Sequence, residues 1–147
     1  MMRYRCLVLD HDDTSVQSTP TVHYPAYVET MRRLRPQLTP ATREEFTRLW
    51  FESRFMETCR DVYHFTPEEM QLQDDNWKEF MQQRVPEFFD GLPQIIRRQR
   101  AEGGLVCVVS HSYARYICRD YAAAGLPEPN AVLGWEIGAE HQKPSPE

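Results

Sequence analysis

Two short apolar runs stand out from a chain that is otherwise patterned at helical spacing. Cys6, Leu7, Val8 and Leu9 are continuous, as are Leu105, Val106, Cys107, Val108 and Val109. Uninterrupted runs of this length predict strands buried on both faces of a parallel sheet. Ala131-Val132-Leu133 is a weaker third candidate. The first run ends in Asp10-His11-Asp12-Asp13-Thr14 and the second in Ser110-His111-Ser112. In open α/β sheets, ligands collect at the carboxyl ends of the strands.

Helical patterns fill the intervals. Tyr24, Tyr27, Val28, Met31 and Leu34 recur in steps of three and four before Pro36. Phe46, Leu49, Trp50 and Phe51 predict a second helix, with Thr42 as its cap. Trp77, Phe80, Met81, Val85 and Phe88 predict a third, bent or broken near Pro86. Ile95 and Ile96 belong to a helix starting near Pro93. Tyr113, Tyr116, Ile117, Tyr121 and Ala124 form another, stopped by Gly125-Leu126-Pro127.

The order is strand, several helices without a strand, then helix, strand, helix, strand. One helix suffices for a parallel crossover, so the stretch from residue 16 to residue 90 is too long to be one. It reads as an inserted helical module. The expected architecture is α/β: a Rossmann-like parallel core from residues 1–15 and 91–147, incomplete on its C-terminal side, with a helical cap at 16–90. Hinges are expected at 36–40 and 90–93.

Composition narrows the function classes. At 147 residues and 41% hydrophobic, the chain can bury a real core. A net charge of −5 speaks against a nucleic-acid binder, and the Arg97, Arg98 and Arg100 cluster reads as a solvated helix face. The segment Met1-Met2-Arg3-Tyr4-Arg5 leads into an apolar run too short for a signal peptide, and nothing approaches a membrane span. Cys6, Cys59, Cys107 and Cys118 form no C-x-x-C pair. Four unpaired thiols suit a reducing cytoplasm, with Cys6 and Cys107 as small buried residues.

The chemistry concentrates at the strand ends. Asp10 and Asp12 could hold a hard cation such as magnesium. One carboxylate could act as a nucleophile and the other as an acid/base. The same residues also suit a polar turn. Ser110 could bind a phosphate oxygen together with the amides of a following helix start, or Ser110 or Ser112 could simply cap that helix. Lys143 could offset phosphoryl charge, or be a solvated lysine in a proline-rich loop.

Their order resembles the haloacid dehalogenase (HAD) superfamily. Asp10, Asp12 and Thr14 match its first motif, Ser110 its second, and Lys143 in Lys-Pro-Ser-Pro its third. The insertion after the first motif resembles the family's type-one cap. Ser18-Thr19-Pro20-Thr21-Val22-His23 looks like the way into it, and Phe89-Asp90-Gly91-Leu92-Pro93 the way back. The resemblance implies a phosphatase acting on a small phosphorylated metabolite. It implies Asp10 as nucleophile, forming an aspartyl phosphate, and Asp12 as acid/base. Thr14, Ser110, His111 and Lys143 would hold phosphate. Mg2+ would sit on the Asp10 carboxylate and the Asp12 carbonyl.

Departures qualify this. Asp13 stands where the family most often has glycine. His11 and His111 adjoin motif residues, and either could touch substrate or be an ordinary loop histidine. Gln17, His23 and Tyr24 read as helix-start and packing residues rather than substrate contacts, and Trp50, Phe51, Phe55, Trp77 and Phe80 as cap packing. The fourth, acidic motif does not follow Lys143, and Glu136 and Glu140 precede it. On that reading the 147 residues are expected to turn over weakly or not at all, and the sheet to leave an apolar edge. A phosphomutase and a non-catalytic interaction module on the same scaffold are the alternatives. Neither substrate identity nor oligomeric state is legible.

Overall fold

A computed structural model describes residues 4–145. Met1, Met2 and Arg3 of the leading segment, and Pro146 of the lysine motif, lie outside the described residues. The chain divides into two compact units, residues 1–18 with 85–147, and residues 19–84.

The first unit is a parallel sheet of β1 (Cys6–Leu9), β2 (Leu105–Val109) and β3 (Ala131–Leu133), in the order β1-β2-β3. Six α-helices are present among the described residues: α1 (Tyr24–Leu34), α2 (Arg43–Phe51), α3 (Phe55–Asp61), α4 (Pro67–Gln83), α5 (Leu92–Ala101) and α6 (Ala114–Ala123). Of these, α5 and α6 belong to the sheet unit.

Ile96 of α5 and Ile117 and Tyr121 of α6 join Val106 and Val108 of β2 in one buried core, with Val16, Phe88 and Leu126. Both helices therefore lie on one face of the sheet. Topology explains this. The strands are added in one direction, and right-handed crossovers then fall on the same side.

The opposite face is left open, which corrects the expectation of strands buried on both sides. Val8 is 66% exposed, Leu105 and Leu133 are exposed, and Cys6 and Cys107 are only half-buried. Among the described strands β1 is an edge, so the free edge is accompanied by a free apolar face.

Gln99 locks the start of the sheet. Fully buried on α5, it donates through Nε2 to the carbonyls of Tyr4 and Leu105, at 3.1 and 3.3 Å. That packing needs a residue without a side chain at position 104. A Cβ on Gly104 would lie 2.2 Å from Gln99 Nε2 and 3.0 Å from its backbone oxygen. Gly104→Ala is expected to cost about 1–3 kcal/mol by overpacking, read as a lowered midpoint in urea unfolding.

The chain leaves and re-enters this unit as a pair of extended segments. Val16 bridges Phe88 in antiparallel fashion, the Gln17 amide donates to the Glu87 carbonyl at 2.9 Å, and the Phe89 amide to the Ser15 carbonyl at 3.0 Å. Val85 and Phe88 are thus not helical, as their spacing had suggested. α4 stops at Gln83, short of Pro86. Gly91, at φ +85°, turns the chain into α5, whose first turn carries Pro93.

The second unit is helical. A π-helical turn at Thr19–His23 runs into α1. Its core is Tyr27, Met31, Phe46, Phe55, Cys59 and Phe65. Thr42 with Glu45 and Thr66 with Glu69 form capping boxes at the starts of α2 and α4. Glu69 also pairs with both terminal nitrogens of Arg35, at 2.7 and 2.8 Å.

His23 belongs to this interior. It accepts from Trp77 Nε1 at 2.9 Å and stacks on Trp50. The Tyr24 hydroxyl donates to the Ala41 carbonyl. Phe51, expected in the packing, is 66% exposed.

Candidate active site

β1 ends at Leu9, and the chain then closes a tight loop around one carbonyl. The His11 oxygen accepts the amides of Thr14, Ser15 and Val16, at 3.3, 2.8 and 3.1 Å. Asp13 sits at the bend with φ +54°, in the left-handed region, and its amide donates to the Val16 carbonyl. This explains the glycine that the resemblance leads one to expect there. Aspartate is among the few other residues that tolerate that conformation.

The loop presents Asp10 to two partners. Lys143 Nζ lies 2.6 Å from Asp10 Oδ1, and Thr14 Oγ1 donates to Oδ2 at 2.7 Å. Both Asp10 and Lys143 keep 37% of their side chains exposed. Burial pushes the Asp10 pKa up. The Lys143 and Thr14 hydrogen bonds, the His11 amide and the lysine charge together outweigh it, so the carboxyl is held below its ordinary value. The group is an anion at neutral pH, with one face still open to solvent.

Asp12 is held separately. Its Oδ1 accepts the Ser18 hydroxyl at 2.6 Å. Ser18 was read only as part of the way into the inserted module. A hydroxyl six residues after an acid carries no local signal, and only the folded loop shows the contact.

Ser110 lies at the end of β2, two residues beyond Val108, which is the register partner of Leu9. It is buried; its amide donates to the Leu133 carbonyl and its Oγ accepts the Ser112 amide at 3.0 Å. His111 is exposed, with Nε2 3.1 Å from the Lys143 carbonyl. Asp10, Thr14 and Lys143 are thus in direct contact, and His111 touches the lysine backbone. Ser110 makes its hydrogen bonds to its own turn and to β3.

The first amide of α6 is not free for a phosphate in this arrangement. The Ala114 amide donates to both oxygens of Glu136, at 3.2 and 3.1 Å. Neither Ser110 nor Ser112 is the helix cap; Tyr113 is. His11, read as a loop residue that could touch substrate, is buried, and its ring meets Asp120.

Among the described residues, no group of three or more His, Cys, Asp or Glu side chains could hold a metal ion. Asp10 and Asp12 nevertheless provide hard oxygen donors. Magnesium usually takes one or two carboxylates and keeps several waters, so these residues fit a weakly held ion. No helix among the described residues is long and apolar enough to cross a membrane.

A parallel sheet with a helical unit inserted after its first strand is the fold of HAD-type hydrolases, and the chain has that fold. Solved structures bear this out. A predicted phosphoglycolate phosphatase from Haemophilus somnus 129pt superposes with a TM-score of 0.72 at 13% identity, covering 95% of this chain and 66% of that one. A variant of CbbY from Rhodobacter sphaeroides, in complex with xylulose-(1,5)bisphosphate, gives 0.67 at 18% identity, covering 97% and 68%. A HAD family hydrolase from Deinococcus radiodurans R1, with bound phosphate and sodium, gives 0.68 at 15% identity, covering 96% and 62%. The chain therefore spans about two thirds of the length of these proteins. No protein-family model and no curated protein sequence matches it.

Proposed function

We propose that the chain carries the active centre of a magnesium-dependent phosphatase acting on small phosphorylated metabolites through an aspartyl phosphate on Asp10. The observation that carries this reading is the Asp10 carboxylate, half-exposed, ionised, and fixed through both oxygens by Lys143 and Thr14. The crystallised HAD hydrolase with bound phosphate and the CbbY variant with a sugar bisphosphate support phosphate esters as the substrate class.

An Asp10 oxygen attacks phosphorus in line with the leaving oxygen. The P–O bond to the leaving group breaks, its electron pair goes to that oxygen, and Asp12 delivers a proton to it. Ser18 fixes one Asp12 oxygen, leaving the other to carry the proton. Water then attacks the aspartyl phosphate while Asp12 takes a proton from it. The bond from Asp10 to phosphorus breaks, releasing inorganic phosphate and restoring the carboxylate.

Lys143 offsets the negative charge of the nucleophile and the transferring group, which is where most catalysis of phosphoryl transfer lies. Ser110, Thr14 and His111 supply polar contacts around it. When bound through the Asp10 carboxylate and the Asp12 carbonyl, Mg2+ supplies further neutralisation of the phosphoryl oxygens.

Held among the described residues by Asp10 and Asp12 alone, the ion is expected to bind weakly, so that turnover is slow and rises with magnesium over a wide range. Hydrolysis of p-nitrophenyl phosphate is expected below ~1 s⁻¹, under the ~10 s⁻¹ median for enzymes, and to vanish in EDTA. Metal-independent hydrolysis would refute the reading, and so would a wild-type chain with no magnesium-dependent turnover at all.

A further inference from the structure

His11 stands between the two acids, and its ring points away from them into the core. Its Nε2–H meets Asp120 Oδ2 on α6 at 3.0 Å, and the two side chains are 1% and 3% exposed. The ring stacks on Tyr121 and takes the edge of Phe88, both at 6.3 Å between centroids. The other oxygen of Asp120 accepts from Arg119 Nε at 2.9 Å, and Nη2 of the same guanidinium lies 2.7 Å from it in an ion pair. The Arg119 guanidinium lies over the Tyr116 ring.

A hydrogen-bonded polar pair inside an apolar core is a weak source of stability, since two packed apolar residues often serve as well. What such a pair supplies is a fixed position. Position matters at residue 11, because its carbonyl is the acceptor around which the loop closes. Its carbonyl accepts the amides of Thr14, Ser15 and Val16, and Asp10 and Asp12 are its chain neighbours. With the His11 ring buried against α6, the flanking Asp10 and Asp12 side chains remain partly exposed on either side of it.

We infer that Asp120 is a positioning residue: through His11 it ties α6 to the loop and sets where the Asp10 and Asp12 carboxylates stand. Its catalytic consequence rests on the phosphatase reading above; its structural consequence does not. Misplacing a reacting group by about an ångström can cost ~100-fold in rate.

The test compares Asp120→Asn, Asp120→Ala and the double variant His11→Leu/Asp120→Leu. The asparagine keeps an acceptor for His11, and the double variant restores an apolar core. With p-nitrophenyl phosphate, Asp120→Asn should keep most of kcat. The alanine and double variants should lose ~10-fold or more in kcat, with KM within about twofold, as expected for lost alignment rather than lost ground-state binding. The double variant, which also leaves Arg119 without its carboxylate partner, should melt no lower than Asp120→Ala.

Amide hydrogen exchange gives a second readout that needs no activity. Ser15 and Val16 should lose protection in Asp120→Ala while Val106 and Val108 keep theirs. Should the double variant not fold, Asp120→Ser, with room for a bridging water, reads the same quantities. A double variant as active as the wild type, or unchanged exchange at Ser15 and Val16, would overturn the inference. An inactive wild type would end the phosphatase reading alone, with the exchange measurement still deciding the role of Asp120.

Discussion

Asp10→Asn is expected to reduce magnesium-dependent hydrolysis of p-nitrophenyl phosphate by at least ~10³-fold, as losses of catalytic groups commonly do. An amide oxygen cannot serve as the attacking anion, while its shape and its hydrogen bond from Thr14 survive. The ion pair with Lys143 is half-exposed, so its loss should change stability by no more than about 1 kcal/mol. A chain that melts like the wild type yet hydrolyses nothing would separate chemistry from folding. Equal activity in the two proteins would remove Asp10 from the mechanism.

Lys143→Met should have the second largest effect, and it should show in two ways. Losing one fixed positive group at a site of developing charge costs ~10²-fold or more in kcat. The pH profile should also move. In the wild type, burial raises the Asp10 pKa and is outweighed by Lys143, Thr14 and the His11 amide. Without the lysine, burial is opposed only by the hydroxyl and the amide, so the pKa rises.

The sign follows from the nucleophile being the anion. Activity falls as pH drops through the Asp10 pKa, so the acidic limb of kcat/KM should lie at higher pH in the methionine variant. Stability runs the same way. A carboxylate held below its unfolded pKa contributes above that value and loses the contribution as pH falls through the folded one. The variant should therefore show a smaller loss of stability between neutral and acid pH. An acidic limb that does not move would mean that Lys143 does not face Asp10 in solution.

The apolar runs made the three strands legible, and spacing with capping residues made α1, α2, α5 and α6 legible. α3 was not, since Phe55 and Cys59 alone give too short a pattern over seven residues. Phe88 was misread because a residue at helical spacing beyond Pro86 looks like a continuation of α4, whereas it pairs with Val16 in an extended bridge. The open face of the sheet was misread because Val8 and Leu105 are as apolar as buried strand residues. Which face is covered depends on crossover direction, a property of topology rather than of composition.

At the site, the order of Asp10, Thr14 and Lys143 was readable because a strand end and a proline-rich loop frame them. Their contact across 133 residues was carried by the resemblance, not by local pattern. The Ser18–Asp12 hydrogen bond and the His11–Asp120 pair were invisible for the same physical reason. Hydrogen bonds between separated residues leave no periodic trace. A histidine between two acids looks like part of a polar loop until the helix that buries it is in place.

The central claim is that Asp10 becomes phosphorylated. Its most direct test is to incubate the chain with acetyl phosphate and Mg2+, reduce any acyl phosphate with borohydride, and locate the product by mass spectrometry. Homoserine at position 10 in the wild type, absent without Mg2+ and absent in Asp10→Asn, is the predicted result. Reduction at another acid, or unmodified Asp10 in a chain that is hydrolysing acetyl phosphate, would contradict the account.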